Sequence, residues 1–189
     1  MNKPKVICIS GTMRSGKDTF FELLYNIGQQ ADTKVNFFGL SFATELKNDL
    51  VPIIAPMGID VVSPTNEQKE IIRPIMIAYG CAWRAIDPQH WVKKVDSIID
   101  RLKFETIPVI RDVRFISEAH YYFEKYGREN VCLIEIIRHG APTPPAEELK
   151  NQPFLSKEAD VVIRWETDPT LENLKPKVQE FFNQYIQNS

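Results

Sequence analysis

Val6-Ile-Cys-Ile-Ser10-Gly11-Thr-Met-Arg-Ser-Gly16-Lys17-Asp-Thr-Phe20 is the stretch whose reading decides the fold. Residues 5–10 hold a short, continuous apolar run, the pattern of a strand covered on both faces in a parallel sheet. A glycine-bearing turn follows at once. Behind it Phe20, Phe21, Leu23, Leu24 and Ile27 recur at helical spacing, so a helix is expected from Lys17 to Ile27, ending near Gly28. Strand, loop and helix in this order give Gly11-x-x-x-x-Gly16-Lys17 its chemical meaning. The glycines let the backbone wrap around a phosphate, so that its N–H groups and the positive end of the helix face the anion. Lys17 then reaches the terminal phosphates of a nucleotide.

The same alternation continues outward. Val35 to Leu40 reads as a second strand, and Ser41 is placed to cap a helix carrying Leu46, Leu50 and Val51 until Pro52. Residues 55–66 look irregular. A helix is expected over Ile71 to Trp83 with Pro74 in its first turn, and another behind Asp87-Pro88, with Asp87 as N-cap and Pro88 at the first helical position. Thr106 to Ile110 is a third strand, followed by a helix with Ile116, Ala119, Phe123 and Tyr126 on one face and a stop at Gly127. Val131 to Ile137 and Ala159 to Ile163 supply two further strands, with a proline-rich polar insertion at 139–158 between them, and Leu171 to Tyr185 a terminal helix. Such alternation implies right-handed crossovers and an α/β fold, a parallel five-stranded sheet with helices on both faces, in one domain of 189 residues. Ligands of these sheets bind at the carboxyl ends of the strands, the ends that carry the glycine turn, Asp112, Arg114 and Arg138.

Bulk properties narrow the function classes. With 43% hydrophobic and 25% charged residues the composition is that of an ordinary globular protein, and a net charge of −2 gives no general attraction to nucleic acid or an anionic membrane. Anions must be held by local clusters. The three cysteines, Cys8, Cys81 and Cys132, are widely spaced without a C-x-x-C pair and read as reduced, buried residues. No apolar run approaches membrane-spanning length, so the expected location is the cytoplasm.

Several residues carry candidate chemistry. The ATP-binding set is Gly11, Arg14, Ser15, Gly16, Lys17, Asp18 and Thr19. Asp18 stands where the common motif has Ser or Thr for Mg2+; it either binds the metal directly, holds a metal-bound water or orients Lys17. Asp112 either orients the metal or the acceptor, or caps the helix behind it. Arg114 and Glu118, four apart, have the spacing of a solvated helix pair. Arginines recur at the candidate mouth positions, namely Arg14, Arg73, Arg84, Arg111, Arg114 and Arg138, and phosphoryl transfer needs such charge around anionic oxygens. Arg138, at a strand end that opens the insertion, is placed to serve a closing lid. His90, His120 and His139 lack ligand spacing and read as surface or lid residues. Trp83 and Trp91 read as core or as a wall of an acceptor pocket, and Trp165 as packing for the last helix or the edge of a purine pocket.

Across most of its length the chain resembles the phage-type deoxynucleoside monophosphate kinase family. The resemblance is carried by Arg14-Ser-Gly-Lys-Asp-Thr19, by Phe42-Ala-Thr-Glu-Leu-Lys47, by Arg73 with the Gly80 to Trp91 block, by Asp112-Val-Arg114-Phe-x-x-Glu118, and by Ile137-Arg-His-Gly140. It departs at Ile77, where relatives often carry glutamine, and at His139, where they often carry proline. The resemblance implies a three-layer P-loop kinase fold with a lid near 139–158, and transfer of the γ-phosphate of ATP to a deoxynucleoside monophosphate with Mg2+. It further implies Lys17, Asp112 and Arg138 as catalytic residues and Asp18 and Asp112 at the metal. Acceptor binding falls to Phe42, Lys47, Arg73, Arg84, Trp91, Arg114 and Glu118. The partners implied are small nucleotides, neither a nucleic-acid polymer nor a membrane, and exposed helix faces leave room for a homodimer. Two other readings stay open: a kinase for a non-nucleotide such as phosphomevalonate, whose animal enzymes share the Ser-Gly-Lys-Asp loop, and a module that binds ATP without turnover.

Overall fold

A computed structural model describes residues 3–32, 35–103, 105–143, 146–166 and 170–187. Five strands, β1 (Val6–Ser10), β2 (Asn36–Leu40), β3 (Thr106–Val113), β4 (Val131–Arg138) and β5 (Val161–Trp165), form one sheet in the order β2-β3-β1-β4-β5, every neighbouring pair parallel. The central β1 is buried at every position, as its unbroken apolar run requires. Edge strand β5 alternates instead, burying Ile163 and Trp165 and exposing Val162 and Arg164.

The helices are α1 (Lys17–Gln30), α2 (Phe42–Ile54), α3 (Asn66–Ile86), α4 (His90–Ile99), α5 (Ile116–Tyr126), α6 (Ala146–Glu158) and α7 (Lys175–Phe182). Contacts divide the chain into two compact units, residues 1–40 with 103–189, and residues 41–102. In the first, α1 and α7 pack on the sheet through a core of Ile7, Ile9, Phe20, Leu24, Ile134, Ile136, Val178 and Phe181, where the Phe20 and Phe181 rings meet edge-on at 5.7 Å. Burying a side chain such as Phe20 contributes about 1.5–3 kcal/mol. In the second, Leu50, Ile54, Ile59, Val61 and Ile72 form a separate core. There Gly80 lets α3 close on α2, since a Cβ would lie 2.8 Å from Leu46 Cδ1.

Local capping moves several boundaries from where the sequence puts them. α3 begins at Asn66 because Thr65 Oγ1 accepts the Gln68 N–H and the Gln68 side chain accepts the Thr65 N–H, a reciprocal cap. Pro74 consequently lies inside α3, beyond its first turn. Asp87 ends α3 and does not cap α4: its carboxylate accepts the Gln89 N–H at 3.0 Å and pairs with Lys93, and α4 starts at His90. Pro52 is accommodated within α2, and α1 runs on to Gln30 past Gly28. Asp112 lies within β3, which continues to Val113, and does not follow it. β5 is displaced by two residues, to Val161–Trp165. The polar stretch 139–158 is largely helical, as α6, despite Pro153. Cys81 is exposed, in contrast to Cys8 and Cys132, whose burial raises both thiol pKa values. Among the described residues no helix is long and apolar enough to cross a membrane.

Candidate functional site

The turn between β1 and α1 is built by backbone that only selected residues tolerate. Gly11 has φ 142°, Arg14 φ 60° and Gly16 φ 94°. Both glycines are also sterically required: a Cβ at Gly11 would lie 2.4 Å from the Ile136 carbonyl oxygen, and one at Gly16 would lie 2.3 Å from Trp165 Cζ2. Gly16 is the N-cap of α1 and has no side chain to satisfy the first-turn N–H groups, which leaves them to an anion.

Lys17 Nζ donates to the carbonyl oxygens of Gly11 at 2.8 Å and Thr12 at 2.7 Å, and lies 3.5 Å from Ser15 Oγ. Its side chain is therefore folded into the loop and bridges it. Desolvation, with the nearby Arg114 guanidinium, pushes the Lys17 ammonium down from 10.5 to about 8, against the opposing pull of Asp112, Asp18 and Glu148. An arriving polyanion would give this half-buried cation a negatively charged partner in place of the two carbonyls.

Trp165 supports the loop from below. Its indole N–H donates to the Ser15 carbonyl at 2.7 Å in a buried contact, and the Trp165 carbonyl accepts the His139 N–H at 3.0 Å, joining the ends of β4 and β5. The sequence places this tryptophan against the last helix or at a purine pocket; the alternation of Val161, Ile163 and Trp165 along the strand is the signal that puts it on the buried face.

Asp18 projects from the first turn of α1 and its side chain is 78% exposed. Arg111 Nη1 donates to Asp18 Oδ1 at 3.2 Å, while the guanidinium lies 5.1 Å above the Phe21 ring. Asp112 is half-buried in β3. Among the described residues no group of three or more His, Cys, Asp or Glu side chains has metal-binding geometry. Asp18 and Asp112 both lie close enough to Lys17 to act on its charge, and each offers the carboxylate oxygen that Mg2+ takes alongside substrate phosphates.

Arg114 follows β3, and its guanidinium forms an ion pair with Glu148 of α6. Glu118 does not pair with it as a solvated helix partner. Glu118 is 4% exposed, and its Oε2 accepts the Arg114 N–H at 2.8 Å and the Phe115 N–H at 3.1 Å, which fixes the entry to α5. Glu135, 1% exposed on β4, accepts the Ser156 hydroxyl of α6 at 2.6 Å. Arg114, Glu135, Glu148 and Gln152 line, with the loop, a cavity of about 20 Å³, the space of roughly one water. Glu148 and Glu135 carry no motif and are invisible in the sequence. Arg138 ends β4, half-buried, with its Nε buried and unbonded among the described groups.

The remaining candidates belong to the second unit. Phe42 and Trp91 are buried there at 4% and 2% exposure, and the Trp91 indole N–H donates to the Gly80 carbonyl at 3.3 Å. Lys47 Nζ reaches the Val62 carbonyl at 3.4 Å, and Arg73 pairs with Glu70 at 2.9 Å on an exposed helix surface. Arg84 is half-buried near the end of α3. His90 is partly exposed, its ring stacks on Trp83 at 4.0 Å, and desolvation lowers its pKa. Larger concavities lie elsewhere, one of about 500 Å³ among Pro4, Arg128, Asp160 and Tyr185 at the amino ends of the strands. The loop is the better site on chemical grounds, because it combines a helix start without a side-chain cap and a lysine lowered by desolvation.

Comparison with solved structures matches this architecture. The dephospho-CoA kinase from Campylobacter jejuni aligns over 98% of this chain and 100% of its own, with a TM-score of 0.50 and 11% identity. The shikimate kinase from Acinetobacter baumannii aligns over 97% and 94% (TM-score 0.48, 11% identity), and a gluconokinase from Sinorhizobium meliloti over 100% of both chains (0.47, 13%). The chain thus shares its α/β fold with that dephospho-CoA kinase. No protein-family model matches the chain, and no curated protein matches it.

Proposed function

We propose that the protein is an ATP-dependent kinase that transfers the γ-phosphate to a deoxynucleoside monophosphate, giving ADP and the diphosphate. The observation that carries the reading is the Gly11–Lys17 cradle: strained backbone at the carboxyl end of β1, an uncapped helix start, and a lysine held inside by backbone carbonyls. The kinase fold supports the reaction class. The acceptor comes from the sequence resemblance, above all the Arg84 to Trp91 block.

In this reading the triphosphate lies on residues 11–19, with loop N–H groups and Lys17 around its β- and γ-phosphates. Asp18 and Asp112 would hold Mg2+, which when bound neutralises charge on the phosphates. The attacking oxygen belongs to an ionised phosphate, so no general base is required; Arg114 and Arg138 supply charge as the phosphoryl group moves. Phe42, Lys47, Arg73, Arg84 and Trp91 complete the proposed acceptor set, with Glu118 acting through the Arg114 backbone that it holds, and the protein acts on small nucleotides in the cytoplasm.

The test is ADP release with ATP and Mg2+, offering dAMP, dGMP, dCMP, dTMP, the ribonucleotides and phosphomevalonate one at a time. Turnover with one or more deoxynucleotides supports the reading. Turnover with phosphomevalonate alone replaces the acceptor, and binding of ATP without turnover on any acceptor overturns the kinase.

A further inference from the structure

We infer that Glu148 of α6 is a built-in competitor for the anion that Arg114 binds, so that this carboxylate sets how tightly the site takes a phosphate. The inference rests on the reading of Arg114 as a phosphate ligand. Arg114 stands immediately after β3, at the carboxyl edge of the sheet, where its backbone is fixed by the buried Glu118 carboxylate. Its guanidinium, 38% exposed, points to Glu148, whose side chain is only 15% exposed. Both line the small cavity under the phosphate loop together with Gly11 and Thr12. The carboxylate also acts on Lys17, favouring its charged form, while Arg114 disfavours it. Glu148 thus supplies negative charge to two cations that a phosphate would otherwise neutralise.

A structural role alone does not account for this choice of residue. α6 is already anchored by Ser156 on Glu135 and by Asn151 Oδ1, which accepts the Ile116 N–H at 3.4 Å. A phosphate that takes the Nη1 edge of the guanidinium bidentately competes with Glu148 for it, and the cost of that exchange lowers affinity.

The test compares the full-length protein with Glu148→Gln and with the Glu148→Gln/Arg114→Ala double variant, measuring binding of inorganic phosphate and of dNMPs by calorimetry, with thermal unfolding alongside. Glu148→Gln is expected to tighten phosphate binding by about threefold or more, the size of a partly exposed ion pair, and the double variant to lose the gain. Unchanged or weaker phosphate binding by a folded Glu148→Gln overturns the inference and leaves Glu148 as a helix anchor. Should that variant unfold, Glu148→Ala, which removes the charge as well, decides in its place by the same criterion. Failure of wild-type ADP release refutes the kinase reading separately, since the phosphate comparison needs no turnover.

Discussion

Trp165 and Gly16 meet without room for a single methyl group. The indole ring of the last strand lies against the N-cap of the first helix, and its N–H holds the Ser15 carbonyl at 2.7 Å. The phosphate loop is therefore shaped from below by a residue 150 positions away in the chain. Trp165→Phe keeps most of the ring but leaves the Ser15 carbonyl buried and unpaired, at a cost of about 1–3 kcal/mol. We expect a lower melting temperature and weaker ATP binding; unchanged ATP affinity would separate the loop's shape from its indole support.

Gly16→Ala is expected to be more damaging than a helix-terminus change usually is, because the residue combines φ 94° with the Trp165 contact. Circular dichroism should show a folded but destabilised protein with at least about tenfold weaker ATP binding. The double variant Gly16→Ala/Trp165→Ala should lose less stability than the two single variants added together, because the added methyl meets the indole only when both are present.

Lys17→Ala should cut turnover by about a hundredfold or more while the protein stays folded. The lysine also gives binding a pH signature. Its pKa in the free protein is held down at about 8, and a bound triphosphate favours the charged form, so binding near pH 8 takes up protons and weakens as pH rises further. Calorimetry in two buffers of different ionisation enthalpy measures that uptake, and Lys17→Ala should abolish it. For folding the sign is opposite to that of a paired lysine. The unfolded chain holds more protons between about 8 and 10.5, so the Lys17 contribution to stability rises with pH across that window.

Asp18→Asn and Asp112→Asn are expected to raise the Mg2+ concentration needed for half-maximal turnover, and EDTA to abolish turnover, as expected where one or two carboxylates share the ion with phosphates. An unchanged Mg2+ requirement in both variants would remove these carboxylates from the metal site. Arg84→Ala should act mainly on KM for the acceptor, and an effect confined to ATP affinity would contradict its assignment.

Thr65→Ala tests the second unit independently of catalysis. It removes one half of the reciprocal cap with Gln68, and should cost about 1 kcal/mol in a urea titration. Loss of much more would mean that the start of α3 carries tertiary contacts as well.

The sequence by itself determined the strand-loop-helix at 6–30, the alternation that makes the sheet parallel, and the residue types of the phosphate loop, because hydrophobic period and glycine placement are local properties. It also put Asp112 and Arg114 at the carboxyl end of the third strand, where they lie, although the strand runs past Asp112. Boundaries shifted wherever capping chemistry outweighed propensity, as at Thr65 and Asp87. Only the tertiary structure decided what surrounds the loop. Trp165 lies in a strand distant in sequence, Glu118 spends its carboxylate on backbone N–H groups, and Glu148 reaches Arg114 from a helix within what composition alone read as a proline-rich polar insertion. The physical reason is the same in each case: a charged or aromatic side chain takes the partner that burial brings to it, and burial is set by strand order and helix docking, which a residue's neighbours in sequence do not encode.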